Sequence, residues 1–223
     1  MARSIDELQD LTEPQLAVIK QVADDAELAK VFYLTGGTLL KALGIVPRQS
    51  NDLDFFTFPT VDGITFTKNL TKLHRLAQEL FGADQIVDTD RGWMDKTSGM
   101  VIDAVHDNIR NIQDFVIFGS LSTAGLQDAT AGKASALCSR DEIKDFIDIA
   151  FLTKNQTWSL RDLAEIAEKK FRLGTISEEK LLSELIAKRE QFQLTPGMFL
   201  RDGVSNVELV TAQIDKLINN TSI

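Results

Sequence analysis

Cysteine and histidine are scarce in this sequence, which has one cysteine and two histidines among its 223 residues. A single cysteine, Cys138, cannot form an internal disulfide framework, and such scarcity is typical of proteins in a reducing compartment. His74 has no cysteine and no second histidine near it in the sequence, so the pattern disfavours a metal site at this residue. The sequence therefore indicates neither a disulfide-stabilised scaffold nor a histidine-based metal centre.

Long apolar runs and clustered positive charge are also missing. No apolar run reaches the ~18 residues of a membrane-spanning helix, and the first residues contain no apolar core of a signal peptide. Lysine and arginine number 24 against 33 aspartate and glutamate residues, which gives a formal net charge of −9. These features predict a cytoplasmic protein without a membrane partner. They argue against broad, sequence-independent binding of nucleic acid, although a local basic groove is compatible with them.

The most informative stretch begins at the short apolar run Val31–Leu34, which predicts a buried strand. A Gly-Gly-Thr turn follows the strand, and the apolar-periodic segment Leu39–Leu43 predicts a short helix after the turn. Glycine lets the backbone come close to a phosphate, and the start of a helix offers free N–H groups and the positive end of its dipole. This order of elements predicts an anion site formed by Gly36, Gly37 and Thr38.

A pair of acidic residues, Asp52 and Asp54, follows this turn. If residues 53–58 form a strand, both carboxylates lie on one face while Leu53 and Phe55 point to the other. Neighbouring carboxylates resist ionising together. A divalent cation removes this penalty, and Mg²⁺ is commonly held by one or two carboxylates together with substrate phosphates. A glycine turn or an acidic pair is by itself more often a plain turn or a solvated surface, but their combination suggests a metal–nucleotide site.

These motifs resemble those of a known family. The order Gly-Thr, a spacer and Asp-Leu-Asp over residues 37–54 looks like the signature of the nucleotidyltransferases of the DNA polymerase β superfamily. The fuller pattern, which adds Arg48 and Ser50, is similar to the AbiEii-type toxin branch of that superfamily. Thr38 stands where the family usually has serine, and it keeps the hydroxyl group. The resemblance implies nucleotidyl transfer and an antitoxin as a possible partner.

A later apolar strand is interrupted by Asp103. By itself, this residue is compatible with an outward-facing position on an edge strand. In the family that the sequence resembles, however, a carboxylate on a following strand completes a metal triad. The resemblance therefore implies that Asp52, Asp54 and Asp103 bind Mg²⁺ or Mn²⁺. Two such ions would lower the pKa of an acceptor hydroxyl and stabilise the in-line displacement at the α-phosphate.

Two further aspartates, Asp145 and Asp148, lie three residues apart in a nearly apolar segment and are near neighbours if the segment is helical. Charges in such a helix need partners. The candidate partners are Lys133, Arg140 and Lys144. One interpretation is a buried ion-pair network that fixes helix packing. The other is a lysine that reaches the nucleotide phosphates and is oriented by the aspartates. One continuous helix and a helix broken near Ser139 are equally compatible with the pattern.

This segment also resembles the late motif of the AbiEii-type family, in which a lysine and an arginine precede Lys-Asp-x-x-Asp. The resemblance implies that Lys133 is essential, together with Asp145 or Asp148. In this interpretation Lys133 neutralises charge on the leaving pyrophosphate. Arg48 and Ser50 would shape or hold the triphosphate end of the nucleotide.

The predicted fold is α/β (α+β) and has two parts. Residues 1–125 are expected to form a nucleotidyltransferase-like domain with a mixed sheet flanked by helices, and residues 126–223 a helical region that carries the Lys/Asp motif. The predicted catalytic residues are Asp52, Asp54, Asp103, Lys133, Asp145 and Asp148. The predicted nucleotide-binding residues are Gly36, Gly37, Thr38, Arg48, Ser50, Arg140 and Lys144.

The predicted activity is transfer of a nucleoside monophosphate from an NTP to a hydroxyl acceptor, either tRNA or protein, by the toxin of a toxin–antitoxin pair. Two alternatives stay open: a nucleotide-binding protein that has lost turnover, and a phosphotransferase that moves the γ-phosphate. If the acceptor is tRNA, basic residues of the helical region should contact its phosphates. These residues are Lys169, Lys170, Arg172, Lys188 and Arg189.

Overall fold

The computed structural model describes residues 3–89, 92–172, 174–194, 200 and 204–221. The chain divides into two compact units. The first unit consists of Met1–Leu43 and Ser50–Gly125, and the second of Gly44–Gln49 and Leu126–Ile223. These units differ from the predicted domains, 1–125 and 126–223, because the short segment Gly44–Gln49 belongs to the second unit.

The first unit combines one sheet with four α-helices in the part of the chain that the structure describes. The helices are α1 (Glu13–Asp24), α2 (Leu28–Val31), α3 (Gly36–Ala42) and α4 (Gly63–Phe81). The strands are β1 (Phe32–Thr35), β2 (Asp52–Thr57), β3 (Ile86–Asp88), β4 (Gly92–Asp95), β5 (Val101–Val105), β6 (Val116–Phe118) and β7 (Leu121–Thr123).

The seven strands form a single mixed sheet in the order β3-β4-β5-β2-β1-β7-β6. Strand β2 lies at its centre, antiparallel to β1 and parallel to β5. The pair β1 and β7 is also parallel, whereas β3–β4, β4–β5 and β6–β7 are antiparallel. The predicted mixed sheet with flanking helices is confirmed.

Alternation along β2 gives the sheet two different faces, as the sequence predicts. Leu53 and Phe55 are fully buried, whereas Asp52 and Asp54 are only half-buried. The buried face joins one apolar core with residues of α1 and α4, among them Val18 and Leu73. The carboxylates therefore lie on the face of the sheet that points away from this core.

The second unit is helical. Its helices are α5 (Leu126–Ser139), α6 (Ile143–Gln156), α7 (Leu160–Phe171), α8 (Glu178–Leu194) and α9 (Val204–Asn220). Helix α5 ends at Ser139 and α6 begins at Ile143. Of the two alternatives, the helix broken near Ser139 is therefore the correct one. Among the described residues of both units, no helix is long and apolar enough to span a membrane.

Candidate active site

Three aspartates occupy one face of two adjacent central strands. Asp54 of β2 is directly paired with Asp103 of β5, and on its other side Asp54 is paired with Thr35 of β1. Asp52 lies two residues earlier on β2 and so on the same face. Since neighbouring strands are about 5 Å apart, the pairing brings the backbone of Asp103 next to that of Asp54.

The carboxylates share this face without forming a finished metal site. Within the described residues, no three His, Cys, Asp or Glu side chains are gathered in a way that could hold a metal ion. The donor chemistry nevertheless fits a hard divalent cation, because carboxylate oxygens are the ligands that Mg²⁺ and Mn²⁺ prefer. The strand register fits as well, since it places all three side chains on one side of the sheet.

The backbone of Gly36 packs directly against one of these carboxylates, that of Asp54. The predicted order of strand and helix is present with shifted bounds: β1 covers Phe32–Thr35, and Gly36, Gly37 and Thr38 form the first turn of α3 instead of a separate turn before it. Gly36, the first residue of α3, has a positive φ of 75°. A Cβ atom on Gly36 would overlap with the Oδ2 atom of Asp54. Two constraints therefore require glycine at position 36. The positive φ disfavours other residues, and the Asp54 carboxylate occupies the space that a side chain would need.

The hydroxyl groups of Thr38 and Ser50 lie next to this turn and contact each other. Thr38 Oγ1 and Ser50 Oγ are 2.9 Å apart, and the Thr38 hydroxyl also donates to the carbonyl of Asp52. Thr38 is completely buried. Its side chain therefore ties α3 to the start of β2, and its contact with a nucleotide phosphate stays a prediction, as does that of Ser50.

Two polar residues that the sequence analysis missed complete this cluster. Gln15 Nε2 donates to the carbonyl of Ser50 at 2.9 Å, and Lys41 Nζ donates to the same oxygen at 3.0 Å. Gln15 could be recognised in the sequence only as part of a Thr-x-x-Gln capping box at the start of α1, which the structure contains. Lys41 carries no signal of its own in the sequence, where it is the one charged residue of α3.

The late motif forms a buried ion-pair network inside the second unit. Lys133 Nζ lies 3.0 Å from Asp145 Oδ1 and 2.8 Å from Asp148 Oδ2. Arg48 grips the two oxygens of Asp148 with Nε and Nη2 at 2.5 and 2.8 Å. Arg140 makes the equivalent two contacts with Asp145, at 2.7 and 3.0 Å. These side chains therefore form the ion pairs that the first interpretation of the late motif expects. Whether they also contact a nucleotide stays a prediction.

The network sets the ionisation of its members. Burial raises the pKa of Asp148, but the charges of Lys133 and Arg48 outweigh burial and hold this pKa below its ordinary value of 3.8. Burial likewise raises the pKa of Asp145, and hydrogen bonds from Arg140 with the charge of Lys133 lower it overall. For Lys133, burial lowers the pKa, but Asp148 and Asp145 raise it above 10.5.

These shifts determine where the network stabilises the fold. A lowered carboxyl pKa contributes stability above pH ~4 that disappears as the pH falls through the folded-state values. The raised lysine pKa contributes stability that is complete below pH ~10.5 and is lost at higher pH. All members are thus charged and stabilising across the neutral range.

The predicted residues consequently fall into two sets, one in each unit. The first unit contains the glycine turn, Thr38, Ser50 and the three aspartates Asp52, Asp54 and Asp103. The second contains Arg48, Lys133, Arg140, Lys144, Asp145 and Asp148. Lys144 makes a partly exposed ion pair with Glu142 at 3.7 Å.

Comparison with known proteins adds a family match to this geometry. Residues 18–103 match the family of the nucleotidyl transferase AbiEii toxin of type IV toxin–antitoxin systems. The matched segment contains the glycine turn and all three aspartates of the sheet, so the resemblance seen in these motifs is confirmed. An uncharacterised protein of Aquifex aeolicus (strain VF5) is 31% identical over 154 residues, which cover 63% of this chain. The chain spans 66% of the length of that relative.

Two solved structures from Helicobacter pylori resemble the chain over nearly its whole length. JHP933 has a TM-score of 0.54 at 16% identity and covers 98% of this chain and 94% of its own. A second structure, described as that of a candidate nucleotidyltransferase, has a TM-score of 0.49 at 18% identity, with 94% and 96% covered. The likeness to JHP933 shows a shared fold.

Replacing Gly36 by alanine should destabilise the first unit more than a matched glycine replacement does. Gly99 also has a positive φ, 68°, but a Cβ atom there would meet no atom within 4 Å. Gly99→Ala should therefore cost only the backbone term of about 1–2 kcal/mol. Gly36→Ala adds the collision with Asp54, and its loss in urea unfolding should be clearly larger. Equal losses in the two variants would contradict the packing of Asp54 against Gly36.

Replacing Lys133 by methionine should lower the unfolding free energy of the second unit, because this lysine is part of the buried network. Lys133→Met leaves one arginine on each aspartate but removes the cation between them, so we expect a loss of about 3 kcal/mol in unfolding free energy. Lys144→Met makes the same chemical change in a partly exposed pair and should cost less than about 1 kcal/mol. Denaturant unfolding at pH 7 measures both, and similar losses would argue against a structural network.

Proposed function

We propose that this chain, whose residues 18–103 match the AbiEii nucleotidyltransferase toxin family of type IV toxin–antitoxin systems, transfers a nucleoside monophosphate from an NTP to a hydroxyl acceptor. The observation that supports the proposal most directly is the pairing of Asp54 with Asp103 beside the Gly36 turn. It joins a carboxylate set and a close backbone approach on one face of the sheet. The family also suggests an antitoxin as a partner.

Asp52, Asp54 and Asp103 are the residues that would hold Mg²⁺ or Mn²⁺. When bound, the cation supplies charge neutralisation at the triphosphate and lowers the pKa of the acceptor hydroxyl. The three carboxylates repel one another, and a bound cation would remove this repulsion and let them approach each other. Gly36 limits the freedom of Asp54, since the carboxylate already lies against the turn.

The glycine turn is proposed to hold the β- and γ-phosphates. Gly36 and Gly37 add no side chains of their own at the start of α3. Gly37 is buried and the Asp54 carboxylate lies against Gly36, so a phosphate would approach the N–H groups beside this carboxylate. The buried hydroxyl of Thr38 keeps α3 fixed to the start of β2 through Ser50 and Asp52. In this arrangement the chain itself contributes orientation of the triphosphate.

Ion pairs in the second unit favour a protein or small-molecule acceptor over tRNA. Three of the five basic residues that tRNA binding would use are engaged with carboxylates. The pairs are Lys170 with Asp128 at 2.8 Å, Lys188 with Asp141 at 2.9 Å, and Arg189 with Asp215 at 2.5 Å. Binding of nucleic acid depends on cations that can neutralise phosphates, and each of these three would have to exchange its carboxylate partner for a phosphate.

Replacing Asp54 by asparagine should abolish nucleotidyl transfer while the protein stays folded. The change removes one proposed cation ligand and also relieves repulsion among the carboxylates, so the melting temperature without added metal should stay equal or rise. The assay follows label from an α-labelled NTP, with Mg²⁺, into protein and tRNA from a cell extract. Asp88→Asn, the same change at an exposed position of β3, serves as the matched control.

Label position separates the proposal from its alternatives. Transfer of α-label but not of γ-label supports nucleotidyl transfer, whereas transfer of γ-label indicates a phosphotransferase. NTP binding without any transfer indicates a protein that only binds nucleotides. Full activity of the Asp54→Asn protein would overturn the assignment of this site.

A further inference from the structure

A buried polar cluster holds the backbone immediately before the aspartate pair. The carbonyl oxygen of Ser50 accepts hydrogen bonds from both Gln15 Nε2 and Lys41 Nζ, at 2.9 and 3.0 Å. Gln15 Oε1 in turn accepts from Lys41 Nζ at 3.2 Å and from the backbone N–H of Thr12 at 3.1 Å. The amide of Gln15 thus connects the start of α1 with Lys41 of α3 and with the segment that leads into β2.

The two donors of this cluster are almost completely buried. Gln15 has an exposure of 0% and Lys41 of 2%. Taking an ammonium group and an amide out of water is costly even when they are hydrogen-bonded, and apolar side chains of similar volume often stabilise a fold as well or better. This cost is offset at one oxygen, because both donors converge on the carbonyl of Ser50.

The segment that the cluster holds lacks the support of one neighbouring strand. The pairing of β1 with β2 ends at Thr35 opposite Asp54, so β2 extends past the end of β1 before that point. In the sheet register, Asp52 faces Val101 of β5. Hydrogen bonds to the carbonyls of Ser50 and Asp52, from Gln15, Lys41 and Thr38, take over the role that β1 plays farther along β2.

We propose that Gln15, with Lys41, is a positioning residue for Asp52. By holding the Ser50 carbonyl it fixes the backbone two residues before the carboxylate, and so fixes the direction from which Asp52 approaches a cation shared with Asp54. This inference rests on the proposed function, because it assumes that these two aspartates bind a divalent cation. It differs from a capping role of Gln15, which would stabilise α1 without affecting the cation.

Mn²⁺ affinity, measured by the electron paramagnetic resonance of free Mn²⁺, tests the proposal. Gln15→Met keeps the size and the neutral charge of the side chain but removes its contacts with Ser50, and we expect Mn²⁺ to bind about three- to tenfold more weakly. Thr12→Ala removes the hydroxyl that caps α1 while the Gln15 amide stays, so its Mn²⁺ affinity should equal that of the unmodified protein. Asn69→Leu, an equivalent loss of a buried amide on α4, controls for general loosening of the unit.

The outcomes separate this inference from the proposed function. Mn²⁺ binding that does not depend on Asp54, judged with the Asp54→Asn protein, refutes the proposed site itself. Binding that depends on Asp54 but is unchanged in Gln15→Met, or equally weakened in Thr12→Ala or Asn69→Leu, refutes only the positioning role. If Gln15→Met does not fold, Gln15→Glu decides. It keeps the capping box but cannot donate to Ser50, and its added negative charge by itself favours a cation, so weaker binding supports the proposal and equal or tighter binding overturns it.

Discussion

The Asp54 carboxylate lies against the backbone of Gly36, and the geometry of the candidate site depends on this contact. A side chain at position 36 would occupy the space of the carboxylate oxygen, so the first turn of α3 and the acid on β2 can coexist only with glycine there. The antiparallel pairing of β1 and β2 brings the two together by setting Thr35 opposite Asp54. The parallel pairing of β2 and β5 then adds Asp103 on the same face.

The two units treat their carboxylates differently. In the second unit, Asp145 and Asp148 are fully buried and three cations neutralise them, which is what burial of charge requires. In the first unit, Asp52, Asp54 and Asp103 are half-buried on the face of the sheet that points away from the apolar core. This contrast supports a functional interpretation of the first set. The contacts of the second set are those of an ion-pair network, and its role toward a nucleotide stays a prediction.

The cluster of Gln15, Lys41, Thr38 and Ser50 links these observations to stability. It replaces strand pairing at the end of β2 with side-chain hydrogen bonds. Buried polar groups of this kind are tolerated only when every donor and acceptor is satisfied. Single replacements in this cluster are therefore expected to change both the unfolding free energy and the position of the aspartates, and the ratio of the two effects should differ from residue to residue.

Local patterns in the sequence determined the parts of this protein that depend on neighbouring residues. Alternation over residues 53–58 placed Asp52 and Asp54 on one face, although the strand itself covers Asp52–Thr57. The Gly-Gly-Thr segment located the start of α3, because strand faces and turns follow from backbone geometry. The motif resemblance indicated the family and the mixed sheet. The resemblance grouped Asp103 with Asp52 and Asp54, and the structure added the register that sets Asp103 opposite Asp54. Tertiary structure alone decided two other long-range contacts: Arg48 on Asp148 across 100 positions of sequence, and Gln15 at the carbonyl of Ser50. Such partners depend on how strands and helices pack over long distances in the chain, and periodicity carries no information about that choice.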